Sequence, residues 1–136
     1  MEPIQWSEQF SVGVEELDHQ HRRLIQLINR LLSPQEPIDT RSEAISDTLL
    51  AMTHYAKEHF KTEEALMQEY DYPGLEDQQR RHRAYRKKTV DLSVDTMYGM
   101  DSVPETLLTY LRDWWVQHIL EEDMKYKDFF AARAVK

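Results

Sequence analysis

The chain has 136 residues, enough for one domain with a real core in which roughly two-thirds of the unfolded surface leaves water. Its net charge of −8 disfavours nucleic acid and anionic membrane as partners, and no run of about 18 apolar residues is present to span a bilayer. There is no cysteine, so disulfides, zinc fingers and thiolate clusters are excluded and any metal must be held by nitrogen and oxygen.

The N-terminus, Met1-Glu2-Pro3-Ile4-Gln5-Trp6, lacks the basic-then-apolar build of a secretory signal, which makes a cytoplasmic location the default expectation. Residues 1–13, with Trp6 and Phe10, read as an extended arm. Turn signals then fall at Ser33 to Pro37, Asp71 to Gly74 and Gly99 to Pro104, and cut the rest into four segments of helix length. No repeat, low-complexity tract or linker interrupts them, so a single domain over residues 1–136 is expected.

Each segment carries an apolar stripe at alternating spacings of three and four. The first runs Val14, Leu17, His21, Leu24, Ile28, Leu31. The second runs Ile45, Leu49, Met52, Ala56, His59, Glu63, Leu66, Tyr70, with Asp39 as its expected cap. The third runs Leu75, Gln78, His82, Tyr85, Thr89, Leu92, Thr96. Its basic residues, Arg80 to Arg83 and Arg86 to Lys88, read as a solvated face. The fourth runs Leu107, Leu111, Trp114, His118, opened by a capping box at Ser102 to Glu105 with Pro104 in the first turn. Residues 124–132 read as a short terminal helical piece. Four helices on short turns predict an all-α, up-down-up-down antiparallel four-helix bundle.

Polar residues stand on all four stripes. A lone stripe histidine is usually a hydrogen-bonded core residue, but His21, His59, His82 and His118 occupy four separate helices. His19 and His54 lie about 200° round from stripe members and should face water. Glu63 is sharper evidence: a buried carboxylate needs a cation, and no lysine or arginine shares these stripes. His59 and Glu63 are one turn apart on one face. Asp123 follows His118 by five residues, about 140° off the stripe on an ideal helix, and joins only if the helix loosens or ends there. Imidazole and carboxylate without sulfur suit iron, manganese or zinc, and six or seven candidates suit two ions rather than one tetrahedral ion.

The ordered motifs resemble the bacterial hemerythrin family over nearly the whole chain. They are Trp6…Phe10-Ser11-Val12-Gly13-Val14…Leu17-Asp18-x-Gln20-His21, His59-Phe60-x-x-Glu63-Glu64-x-Leu66-Met67, Tyr72-Pro73…His82 and Trp114-x-x-x-His118-Ile119-x-x-x-Asp123. The resemblance implies two non-heme iron ions with an oxo or hydroxo bridge. Glu63 and Asp123 would be the bridging carboxylates. His21 and His59 would hold the iron that takes O2, and His82 and His118 the other. The family's third-helix pattern, His-x-x-x-His, reads here Gln78-x-x-x-His82. Gln78 then coordinates through its amide oxygen, holds an iron-bound water or hydroxide, or leaves the second iron weakly bound; an open or labile position is the expectation. Trp115 stands where many relatives carry leucine, which makes it ordinary packing or a bulky gate on the O2 pocket.

The implied function is O2 binding without enzymatic turnover. A sensor module for O2 or redox state, oxidising readily and joined to an output signalling domain in a longer protein, comes first. A stand-alone carrier, store or scavenger is the alternative, and a di-iron oxidase or peroxidase is third. Nitric oxide is a second candidate ligand.

Overall fold

The computed structural model describes residues 2–93 and 104–136. The chain forms a 3-10 turn at Glu8–Phe10, then α1 (Glu15–Leu32), α2 (Ile38–Glu69), α3 (Leu75–Ser93), α4 (Glu105–Gln117), a π-helical turn (His118–Asp123) and α5 (Met124–Ala131). Helices α1 and α3 each pack on both α2 and α4, which closes the four-helix bundle. Backbone angles stay right-handed helical at Gln117, His118, Asp123 and Met124, so α4, the π turn and α5 are one continuous rod.

The arm is fastened at two points. Ile4 donates its N–H to Asn29 Oδ1 at 2.8 Å and accepts from Asn29 Nδ2 at 2.9 Å. Asp18 accepts from Ser11 Oγ at 2.6 Å and from the Val12 N–H at 2.8 Å. Gly13 has φ +78°, a left-handed angle that favours glycine, and that bend lets Val12 and Val14 both turn inward. At the end of α2 the chain turns in a Schellman motif. Asp71 takes φ 55°, and the Tyr72 and Asp71 N–H groups return to the Met67 and Gln68 carbonyls.

Two expectations about helix starts are corrected. Asp39 is not the cap of α2: it lies inside the first turn, where its charge complements the helix dipole. Pro104 stands before α4 rather than in its first turn. Pro37 and Pro104 hold extended ψ values of 152° and 140°, and their carbonyls accept the first helical N–H groups. Thr96 of the third stripe, and Ser102 and Val103 of the expected capping box, lie outside the described residues.

The stripes are otherwise placed as predicted, with two shifts. Met67 is fully buried while Leu66 is only partly so, because Met67 fills a small core with Val12, Val14, Leu17, Tyr126 and Phe130 beneath the arm and α5. Trp115 is fully buried while Trp114 is partly covered, its ring lying flat on His118 at 4.3 Å between centroids. The larger core runs from Leu24 and Phe60 through Leu111 to Trp115 and Ile119. His21 on α1 falls between Leu17 of one core and Leu24 of the other, and Glu63 on α2 between Met67 and Phe60. His19 and His54 are exposed, as expected of residues off the stripes.

A buried cluster of imidazoles and carboxylates: the candidate metal centre

His21, His59, Glu63, Gln78, His82, His118 and Asp123 are all buried and converge in the bundle interior. Each carboxylate reaches both halves of the cluster. Glu63 Oε1 lies 3.2 Å from His59 Nε2 and 3.5 Å from His82 Nε2. Asp123 Oδ2 lies 3.2 Å from His21 Nε2, and its Oδ1 lies 3.2 Å from His118 Nε2. Two sets of donors therefore share Glu63: His21, His59, Glu63 and Asp123 in one, and Glu63, His82 and His118 in the other.

The helix does loosen where Asp123 needs it to. Residues His118–Asp123 form a π-helical turn, whose i→i+5 bonding brings Asp123 round onto the face of His118. An ideal α-helix would have left it about 140° away.

The site is full of acceptor and donor atoms with nothing to bond. Buried side-chain atoms without a hydrogen-bond partner include Nε2 of His21, His59, His82 and His118, Oε1 of Glu63 and Gln78, and Oδ2 of Asp123. Orphaned polar atoms are rare in folded proteins, and so many in one place fit a bound cation that each would ligate. The electrostatics agree. Burial disfavours charge on Glu63 and Asp123, yet neighbouring imidazoles hold Glu63 well below and Asp123 below the usual carboxylate range. Burial likewise opposes a proton on His21, but Asp123 and Glu63 outweigh it and raise its pKa to about 9. His118 is raised by Asp123 against the same opposition, whereas burial keeps His59 lowered and neutral. The two carboxylates thus demand positive charge at the centre of the cluster, which a divalent ion would supply.

A surrounding layer orients these groups. Gln20 Oε1 lies 2.6 Å from His59 Nδ1, and Glu64 Oε2 lies 2.8 Å from His82 Nδ1, each fixing its ring so that Nε2 faces inward. Phe60 stacks on His82 at 3.9 Å. Tyr126 donates to Glu63 Oε2 at 2.5 Å. Sequence reasoning gave Tyr126 no role; its one signal was position, a turn beyond Asp123 on the same rod. Gln20 and Glu64 lay inside the motifs, but a ring nitrogen's partner cannot be read from spacing.

Gln78 joins the cluster with its Nε2 donating to Asp123 Oδ1 at 3.1 Å. Trp115 packs beside His59, with centroids 5.8 Å apart, and donates its Nε1–H to the Tyr85 hydroxyl at 2.9 Å. Of the basic run, Arg81 bonds Asp77 at 2.8 Å and lies 3.4 Å from Glu122, and Arg80 also pairs with Asp77, consistent with a solvated face. No helix among the described residues is long and apolar enough to cross a membrane.

Residues 12–130 match the family described as the hemerythrin HHE cation-binding domain. The chain is 28% identical to a bacteriohemerythrin of Clostridium acetobutylicum, over 90% of this chain and 98% of that protein. It is 32% identical to a myohemerythrin of Theromyzon tessulatum, over 93% and 92% respectively. Among solved structures, a wild-type hemerythrin superposes with a TM-score of 0.77 at 27% identity, covering 92% of this chain and 95% of that one. A hemerythrin with one leucine replaced by alanine gives a TM-score of 0.79 at 27% identity, covering 94% of this chain and 97% of that one. A bundle with shared carboxylates at its centre and a family match over most of its length place this chain in the hemerythrin family of di-iron, O2-binding proteins.

Proposed function

We propose that the chain is a di-iron O2-sensing module whose two metal positions differ in strength. His21 and His59 would hold one iron, His82 and His118 the other, and Glu63 and Asp123 would bridge them. Two ferrous ions in such a site supply electrons for reversible O2 binding. The protein's part is to hold the ligands, exclude water and keep protons away. Gln20 and Glu64 lock two of the imidazoles. Tyr126 holds one oxygen of Glu63 and leaves the other free for metal. Trp115 walls the His59 side and would set how readily O2 enters.

Gln78 carries the sensor reading. Its amide nitrogen is engaged by Asp123 and its buried oxygen has no partner. That oxygen is a weaker donor than imidazole. It also suits holding a water or hydroxide, which would leave the second iron with an open or labile position. An open position weakens protection of bound O2 and favours rapid oxidation, which suits a switch acting through an output domain. A carrier or store is the second reading, favoured by the complete burial of His21, Glu63 and Asp123, which keeps water from the centre. Nitric oxide would be read by the same site. We assign no enzymatic turnover.

Admitting air to iron-loaded, anaerobically reduced protein separates the two readings. Prompt conversion to a stable oxidised spectrum supports the sensor. A charge-transfer band that persists and reverses when O2 is removed supports the carrier.

A further inference from the structure

One helical turn from His59 and His82, a cavity of about 270 Å³ opens between α2, α3 and α4. Its walls are apolar: Leu49, Met52, Ala56, Leu107 and Leu111, with the buried ring of Tyr85. Its rim is basic. His54 and Lys57 on α2 and Arg86 on α3 line the opening, and among the described residues no carboxylate does. Neither Lys57 nor Arg86 has a hydrogen bond or ion pair from its side chain among the described residues. They give this opening a local positive charge on a chain of net charge −8. One of the described residues' two exposed large apolar side chains also lines this cavity. Val90, 58% exposed, lines the opening, and Leu50, 51% exposed, shares a helical face with His54 and Lys57.

We propose that this cavity binds a single-chain amphiphile with an anionic head, a medium-chain fatty acid. The tail would fill the space above Tyr85, Met52 and Leu111. The carboxylate would sit at the rim between Lys57 and Arg86, with Val90 covering the first carbons. The volume lies near the lower end of small-molecule sites, which limits the tail to medium length. The overall negative charge opposes docking on an extended anionic bilayer, so the occupant is one molecule rather than a membrane. Tyr85 forms part of the wall and accepts the Trp115 Nε1–H, so Trp115 fluorescence reports on a bound tail without any metal.

The test titrates the full-length chain with decanoate below its micellar range, by calorimetry and tryptophan fluorescence. Saturable one-to-one binding is expected, with decyltrimethylammonium weaker by about tenfold or more because its head meets cations. Lys57→Ala with Arg86→Ala should weaken decanoate by about tenfold while leaving decanol nearly unchanged. Ala56→Leu, which fills the cavity, should block both. If it loses helicity by circular dichroism, the exposed rim variants still decide the matter. Non-saturable uptake, equal affinity for the cationic amphiphile, or indifference to the rim substitutions overturns the proposal. Binding to phosphatidylglycerol vesicles without binding of free decanoate overturns it in favour of a membrane surface.

Discussion

The two halves of the buried cluster are built from the same chemistry but to different standards. On the side of His21 and His59, two imidazoles meet both carboxylates, all four groups almost wholly covered. On the side of His82 and His118, the added polar group is a carboxamide, Gln78, which gives one of its two polar atoms to Asp123. His118 keeps 4% of its surface in contact with solvent while His21 keeps none. Burial is nearly complete on both sides, so the halves differ chiefly in the carboxamide of Gln78. On the proposed reading, the His82 side is the one that would exchange ligands or metal.

The strongest way to break this comparison is to remove what the halves share. Glu63→Ala should abolish tight binding of both ions, lowering apparent affinity by well over the roughly 10- to 100-fold that loss of an outer partner costs. Metal analysis after gel filtration checks it, and one full-affinity ion retained would argue that Glu63 serves a single side. Next in size is Gln78→His. It should raise the affinity of the second ion by about 10-fold or more and slow oxidation in air, bringing the halves level; an unchanged decay rate would leave Gln78 without a part in the asymmetry.

Smaller effects sharpen the comparison through the orienting residues. Gln20→Ala should weaken only the His59 side and Glu64→Gln only the His82 side, each by about 10-fold in metal affinity. Competition with a chromophoric chelator would resolve the two steps. Equal loss at both steps in either variant would mean that the halves are not separable. Tyr126→Phe removes a hydrogen bond to a charged group and should cost about 1.5–3 kcal/mol of stability, read by denaturant titration. The pH dependence has a definite sign. His21 has a pKa raised from 6.5 to about 9, so its proton stabilises the metal-free fold fully below 6.5 and that contribution is lost as pH rises through 9. A metal must displace this proton, so affinity should climb with pH up to about 9. A flat profile would show that metal displaces no proton from His21.

Much of this was legible in the sequence because helical spacing and burial are tightly linked. His21, His59, Glu63, His82 and His118 follow the apolar stripes, and a polar residue on a stripe has nowhere to go but inward. The turns at Ser33 to Pro37 and at Asp71 to Gly74 were legible for a similar reason, since their residues have strong local preferences. Asp123 was not legible from spacing, because the π turn that rotates it inward has no sequence signature. The choice of Trp115 over Trp114, and of Met67 over Leu66, depends on how α5 and the arm cover the bundle end. Tyr126 and the partners of His59 and His82 depend on side-chain directions that a one-dimensional pattern does not carry.

The central claim is that the two metal positions are unequal because of Gln78. Anaerobic titration of chelator-treated protein with ferrous ion, followed by calorimetry, tests it most directly. Two binding steps of distinct affinity are expected, the weaker strengthened by Gln78→His and the stronger left alone. A single step of two equal ions, unaltered by that substitution, would contradict it.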